Sequence, residues 1–120
     1  MKKAYDLAEV IINEINNYSE MYTSEDGQTT TTQDSIMALN SIIEKGLSLY
    51  KYLQENKLYE GKPNIIVVMN TLAGYVDKLQ INKKNAENLN LSNAIQLWNQ
   101  CKICIAMLAC ELLDFRDSLN

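Results

Sequence analysis

The sequence predicts an all-α fold: one domain over residues 1–120, a bundle of about four helices with a long apolar helix at the C-terminal end. Two observations predict it. Apolar residues recur every three or four positions in four segments, which is the spacing of one helix face. Polar stretches separate these segments, and none is long enough to link two domains. A chain of 120 residues can also bury a core without a disulfide or a metal.

The first helix is predicted from about Ala4 to Met21. Its apolar stripe consists of Ala4, Leu7, Ala8, Ile11, Ile15, Tyr18 and Tyr22. The next segment, TSEDGQTTTTQD at residues 23–34, has no apolar residue and four consecutive threonines. Because β-branched residues lose side-chain freedom in a helix, this segment is expected to be a loop. It is either a passive connector or a segment that orders on a partner.

The second helix is predicted from about Gln33 to Asn56. Its main apolar stripe consists of Ile36, Leu39, Ile43, Leu47, Tyr50 and Leu53, and a shorter stripe beside it consists of Ile42, Leu49 and Tyr52. Gly46 in the middle costs the helix about 1 kcal/mol relative to alanine. A close crossing of another helix at Gly46 would offset that cost.

Pro63 is expected to begin the third helix, because its missing N–H is harmless at the first helical position. The segment NIIVVM, Asn64 to Met69, has four β-branched residues in a row and is also compatible with a buried strand. Helical spacing continues through Ile65, Met69, Leu72, Val76 and Leu79, which favours a helix. The asparagine-rich segment at residues 81–92 is expected to end it.

The last helix is predicted from about Leu91 to Ser118. Its segment ICIAMLAC, residues 103–110, is apolar on every side, which is typical of a central helix surrounded by its neighbours. All three cysteines of the chain lie between residues 101 and 110. Free cysteine packs as a small hydrophobe, so core packing is the expected role of these cysteines.

Two kinds of chemistry compete with that interpretation. Cys101 and Cys104 form a C-x-x-C pair, which could bind zinc or undergo redox reactions. However, the chain has no histidine to complete a zinc site, and the pair lies far from the helix N-terminus that activates redox cysteines. Carboxylates could bind Mg²⁺, and the available pairs are Asp6 with Glu9 and Asp114 with Asp117. Solvated helix faces explain these pairs better, so we expect no enzyme activity, no cofactor and no metal.

Charge and hydropathy exclude further classes. Residues 1–60 hold ten acids and five lysines, whereas residues 61–120 hold five acids and six bases. No cluster of bases could neutralise several phosphates, so nucleic-acid binding is not expected. The longest uncharged apolar run, Ile103 to Cys110, is far shorter than the roughly 20 residues that span a bilayer. Three cysteines without a secretory signal are typical of a reducing compartment, and we expect a cytoplasmic protein.

A partner-binding surface is predicted at the end of the second helix, comprising Leu49, Tyr52, Leu58 and Tyr59. Tyrosine is common at interfaces because it combines a large rigid area with a polar tip. Tyr52 and Leu49 lie outside the main stripe of their helix. The alternative interpretation is that Leu58 and Tyr59 simply close the end of the bundle.

In length, acidity and low cysteine content the chain resembles the small anti-defence proteins encoded by phages and prophages of low-GC Gram-positive bacteria. Inhibitors of defence-associated sirtuin NADases belong to that group. The resemblance implies a non-catalytic protein that binds and blocks a larger host protein, and it transfers no site residues. The alternatives are a self-associating structural or accessory phage protein and a small metal- or nucleotide-dependent enzyme. A homo-oligomer is compatible with either binding role.

Overall fold

The computed structural model describes residues 2–23, 32–89 and 94–119. It contains four helices: α1 (Lys2–Thr23), α2 (Thr32–Glu55), α3 (Pro63–Leu89) and α4 (Ala94–Ser118). No strand occurs in these ranges, so the predicted all-α class is confirmed. Residues 64–69 are helical and Pro63 begins α3, as predicted. Most of the predicted 23–34 loop lies outside the described residues.

The helices form a flattened four-helix bundle. Each helix packs on the next one in the chain, and α1 closes the ring by packing on α4. In the described part of the chain, α2 also contacts α4 across the bundle, whereas α1 does not contact α3. The bundle measures 47 × 26 × 18 Å, so α1 and α3 occupy the two distant corners of its cross-section.

All four helices contribute to one apolar core. The predicted stripe of α1 is largely buried, although Leu7 is only half-buried and Ile12 joins the core. The side chain of Tyr22, a predicted stripe member, lies outside the described residues. Along α3, the five positions that predicted a helix, from Ile65 to Leu79, are all buried.

The buried face of α2 differs from the predicted one. Leu47 is 46% exposed, although its stripe placed it in the core, and Leu49 is completely buried, although it was expected beside the core. Gly46 explains the difference. A Cβ on Gly46 would lie 2.7 Å from Cγ2 of Val76, so Gly46 faces α3 and Leu47 is turned outward. The close helix crossing expected at Gly46 is thereby confirmed.

Two expectations about α3 and α4 are wrong. The asparagine-rich segment does not end α3 at residue 81, because the helix continues to Leu89. Lys83 helps to hold this extension by donating a hydrogen bond to Asn40 of α2 at 2.9 Å. The helix α4 is not surrounded by its neighbours, because Ile103, Met107 and Cys110 on its outer face are exposed.

Candidate functional site

The connection between α2 and α3 has a fixed backbone conformation. The N–H of Leu58 donates to the carbonyl of Leu53 at 3.1 Å, and that of Lys57 donates to Gln54 at 3.2 Å. This hydrogen-bond pair is the Schellman motif, which satisfies carbonyls at the end of a helix. Lys57 occupies its left-handed position with φ of 51°, a conformation that favours glycine. Gly61 at φ of 69° then allows the chain to enter α3.

Three of the four residues predicted to bind a partner lie in this turn or in the last helical turn before it. Tyr52, Leu58 and Tyr59 are each half-buried and pack against the core. The ammonium of Lys3 lies 5.2 Å from the ring centre of Tyr52, a cation–π contact. We call Tyr52, Leu58 and Tyr59 the tyrosine end. Leu49 does not belong to it, because its side chain is fully buried and cannot reach a partner.

The C-x-x-C pair lies in the interior of the bundle. Cys101 and Cys104 are buried, as expected for core packing, whereas Cys110 is exposed and departs from that expectation. Burial raises the pKa of Cys101 to about 11, although a hydrogen bond from Tyr18 acts against the shift. Burial also raises the pKa of Cys104, against the attraction of Lys78. Both thiols are therefore protonated at neutral pH, which makes them poor nucleophiles and poor metal ligands.

A buried polar cluster joins three helices near Cys101. The hydroxyl of Tyr18 lies 3.0 Å from Oγ of Ser35 and 3.7 Å from the thiol of Cys101. The rings of Tyr18 and Trp98 are 5.6 Å apart and inclined at 59°. Because these polar groups contact one another inside an apolar core, they fix the relative positions of α1, α2 and α4. Ser35 could not be identified from the sequence, because it is a single small polar residue at a core position.

Two carboxylate pairs were considered for Mg²⁺, and one carboxylate of each pair forms an ion pair with Arg116. Arg116 lies 3.1 Å from Glu9 of α1 and 3.3 Å from Asp117 of its own helix. Arg116 is the only arginine of the chain. In the described ranges, no three Cys, Asp or Glu side chains lie close enough together to hold a metal ion. The arrangement therefore holds the first helix against the last.

A second ion pair, between Glu14 and Lys45, links α1 to α2. Burial acts to raise the pKa of Glu14. Hydrogen bonds from Lys45 and Ser41, together with the ammonium charge, outweigh that effect and hold the pKa of this carboxyl below its usual value. Lys45 also donates to Ser41 at 3.2 Å. The three side chains thus form one polar network at the α1–α2 edge.

The outer sides of α3 and α4 are the most apolar surface among the described residues. Five of the eight exposed large hydrophobic side chains lie there: Ile66, Val67, Ile81, Ile103 and Met107. Ile103 is 69% exposed and shares one stripe of α4 with Met107 and Cys110, at spacings of four and three. We call the outer sides of these two helices the α3–α4 face. The apolar run at residues 103–110 predicted a buried helix, but part of this run lies on the α3–α4 face.

Within the described ranges, no helix is long and apolar enough to cross a bilayer. Comparison with known proteins returned no match. No protein-family model matches the sequence, and neither a curated protein nor a solved structure is significantly similar to it.

Proposed function

We propose that this protein is a non-catalytic binding module that inhibits a larger protein by covering part of its surface. The observation that carries the proposal is the tyrosine end, where two half-buried tyrosines and a leucine lie on the last turn of α2 and on the connection of fixed backbone that follows it. A surface that is already ordered loses little conformational entropy on binding. Lys57, a non-glycine residue in the left-handed region, adds support because such strained positions cluster at functional sites.

Charge indicates which kind of partner surface fits. The tyrosine end is bordered by five lysines and three acids, namely Lys2, Lys3, Lys51, Lys57, Lys62, Asp6, Glu55 and Glu60. Complementary charge speeds association and disfavours wrong partners. We therefore propose a partner whose contact surface is apolar at its centre and acidic at its rim.

The class of partner follows from the resemblance to small anti-defence proteins of phages. That resemblance, based on length and composition, supports a host defence enzyme as the larger protein. We propose that binding takes place in the cytoplasm, where a chain with three unpaired cysteines stays reduced.

The proposal is tested by comparing captured proteins between variants. A tagged wild-type chain and the double variant Tyr52→Ala/Tyr59→Ala would be used as baits in a lysate of a low-GC Gram-positive host, with quantitative mass spectrometry. Tyr75→Ala provides a matched control, because Tyr75 is a half-buried tyrosine in the middle of α3, twelve residues beyond the start of that helix at Pro63. We expect one stoichiometric protein that the wild type and the control retain and the double variant loses.

Circular dichroism of the same samples shows whether the double variant is folded. A folded double variant that retains the partner as well as the wild type would contradict the proposed contact surface. An unfolded double variant would show that the two tyrosines act as core residues, and the tyrosine end would then have to be abandoned as a binding surface.

A further inference from the structure

We propose that two copies of this chain associate through their α3–α4 faces in an antiparallel arrangement. This inference goes beyond the proposed function, because it uses none of the residues of the tyrosine end. Three observations carry it: the apolar centre of the face, the separation of charge along it, and its area.

The centre of the face exposes large apolar side chains to water. Ile103 is 69% exposed, Val67 58% and Met107 49%. The small residues Gly74, Ala106 and Cys110 are exposed on the same two helices and allow a close approach of another backbone. Concentrated apolar exposure of this kind is typical of a protein–protein contact.

The two ends of the face carry opposite charge. The antiparallel packing of α3 and α4 is shown by two contacts: the Cys104 thiol donates to the carbonyl of Tyr75 at 3.6 Å, and Val67 lines one groove with Asp114. Beyond Tyr75 lies a basic end whose exposed charges are Lys78, Lys84, Lys102 and Glu87, since Lys83 bonds to α2 and Asp77 lines the groove against α2. Beside Val67 lies an acidic end with three acids, namely Glu111, Asp114 and Asp117, since Arg116 is turned toward Glu9 of α1.

This charge pattern makes the face complementary to itself. Three bases less one acid give +2 at one end, and three acids give −3 at the other. A two-fold axis perpendicular to the helices places the basic end of one copy over the acidic end of the other. Contact through α1 and α2 would instead oppose two surfaces that each carry seven acids against four lysines. A second copy is therefore the occupant that the charges favour.

The face is large enough for a stable dimer. The helices α3 and α4 have 27 and 25 residues, which at 1.5 Å per residue gives lengths of about 40 and 37 Å. With each helix about 10 Å wide, the two present about 700 Å². A standard interface buries about 800 Å² per partner.

The first test measures the mass of the purified full-length chain by light scattering and sedimentation across a range of concentrations. We expect a dimer that Ile103→Asp weakens by roughly thirtyfold, the effect of one central interface residue. Met37→Asp is the matched control, because Met37 is 61% exposed but lies on α2. It should dimerise like the wild type.

The second test uses charge exchange between two variants. Lys78→Glu/Lys102→Glu makes both ends of the face acidic, and Glu111→Lys/Asp114→Lys makes both ends basic. We expect each variant alone to be monomeric at concentrations where the wild type is dimeric, and a 1:1 mixture to recover the dimer. Circular dichroism and thermal melting confirm that each variant is folded.

Three results would overturn the inference. The first is a wild-type chain that stays monomeric up to about 1 mM, a concentration at which even weak specific contacts are populated. The second is a dimer that Met37→Asp disrupts as strongly as Ile103→Asp. The third is a mixture of the charge variants that associates no better than either variant alone. None of these tests requires the proposed host partner, so their failure is distinguishable from failure of the proposed function.

Discussion

The α1–α2 half and the α3–α4 half of this bundle both bury an apolar core, but their outer surfaces differ. In the α1–α2 half, the outer sides are mainly acids, asparagines and lysines, and the net charge of the two helices is −3, from seven acids and four lysines. In the α3–α4 half, five acids balance five bases, and most of the exposed large apolar side chains are found there. Both halves bury a continuous apolar stripe, so their stability does not require this difference.

The difference teaches that apolar content and burial are separate properties of a helix. A helix at the corner of a four-helix bundle has an outer side whatever its sequence. Polar residues on that side leave it facing water, whereas apolar residues make it available to another macromolecule. The outer sides of α3 and α4 carry apolar residues of this kind.

Thiol labelling should show the largest contrast, between the inner and outer sides of α4. Cys110 is exposed, whereas Cys101 and Cys104 are buried, and the pKa of Cys101 is raised to about 11. At dilutions where the chain is monomeric, we expect Cys110 to react with an aromatic disulfide reagent within seconds to minutes and the other two cysteines to react only when the chain unfolds. Mass spectrometry of the labelled peptides identifies the reactive site, and fast labelling of Cys101 would contradict the buried position of that side chain.

Truncation of two neighbouring leucines on α2 should lower the free energy of unfolding by different amounts, because one leucine is buried and the other is exposed. Leu49→Ala removes a fully buried side chain and should lower the free energy of unfolding by about 3 kcal/mol. Leu47→Ala removes a side chain that is 46% exposed and should cost about 1 kcal/mol or less. Urea denaturation measures both, and equal losses would show that the assignment of the inner face of α2 is wrong.

Two glycines at helix interiors should respond to alanine with opposite signs. A Cβ on Gly46 would lie 2.7 Å from the stiff side chain of Val76, whereas nothing lies within 4 Å of a Cβ on Gly74. We expect Gly46→Ala to destabilise the protein by about 1 kcal/mol net, because overpacking outweighs the gain in helix propensity. Gly74→Ala should stabilise it by up to about 1 kcal/mol. Thermal melting distinguishes these outcomes, and a gain for both variants would mean that α2 and α3 do not cross closely at Gly46.

The smallest effect concerns the polar edge between α1 and α2. The pKa of Glu14 is lower in the folded chain than its usual value. Its ionised form therefore contributes stability above about pH 4.5, and this contribution is lost as the pH falls through the folded pKa. We expect Glu14→Gln to lose less stability than the wild type between about pH 5 and pH 3.

Lys45→Met, which removes the partner of Glu14, should flatten the same part of the stability profile. Urea denaturation at each pH measures all three proteins. Parallel profiles for the wild type and both variants would show that this ion pair makes no contribution.

The sequence was sufficient for properties that depend on local spacing. The four helices, the start of α3 at Pro63 and the helical state of residues 64–69 all follow from apolar periodicity and the chemistry of proline. Gly46 also indicated a helix crossing, because the cost of a glycine inside a helix is offset where another helix packs closely against it.

The sequence was insufficient where burial depends on the positions of other helices. Leu47 and Leu49 lie on two adjacent stripes of α2, and the direction of α3 decides which of them faces inward. The apolar run of α4 predicted a central helix, although each helix of a four-helix bundle has an outer side. The contact between Glu9 and Arg116 joins residues 107 positions apart, which no local pattern reports. The tyrosine end could be predicted in part, because Tyr52, Leu58 and Tyr59 are close in sequence and lie around the end of one helix.

The link between α1 and α4 also determines when this protein can finish folding during its synthesis. Tyr18 packs on Trp98, and Glu9 pairs with Arg116, so α1 acquires part of its packing only from α4. During synthesis, one side of α1 therefore stays without its packing partner until α4 has left the ribosome.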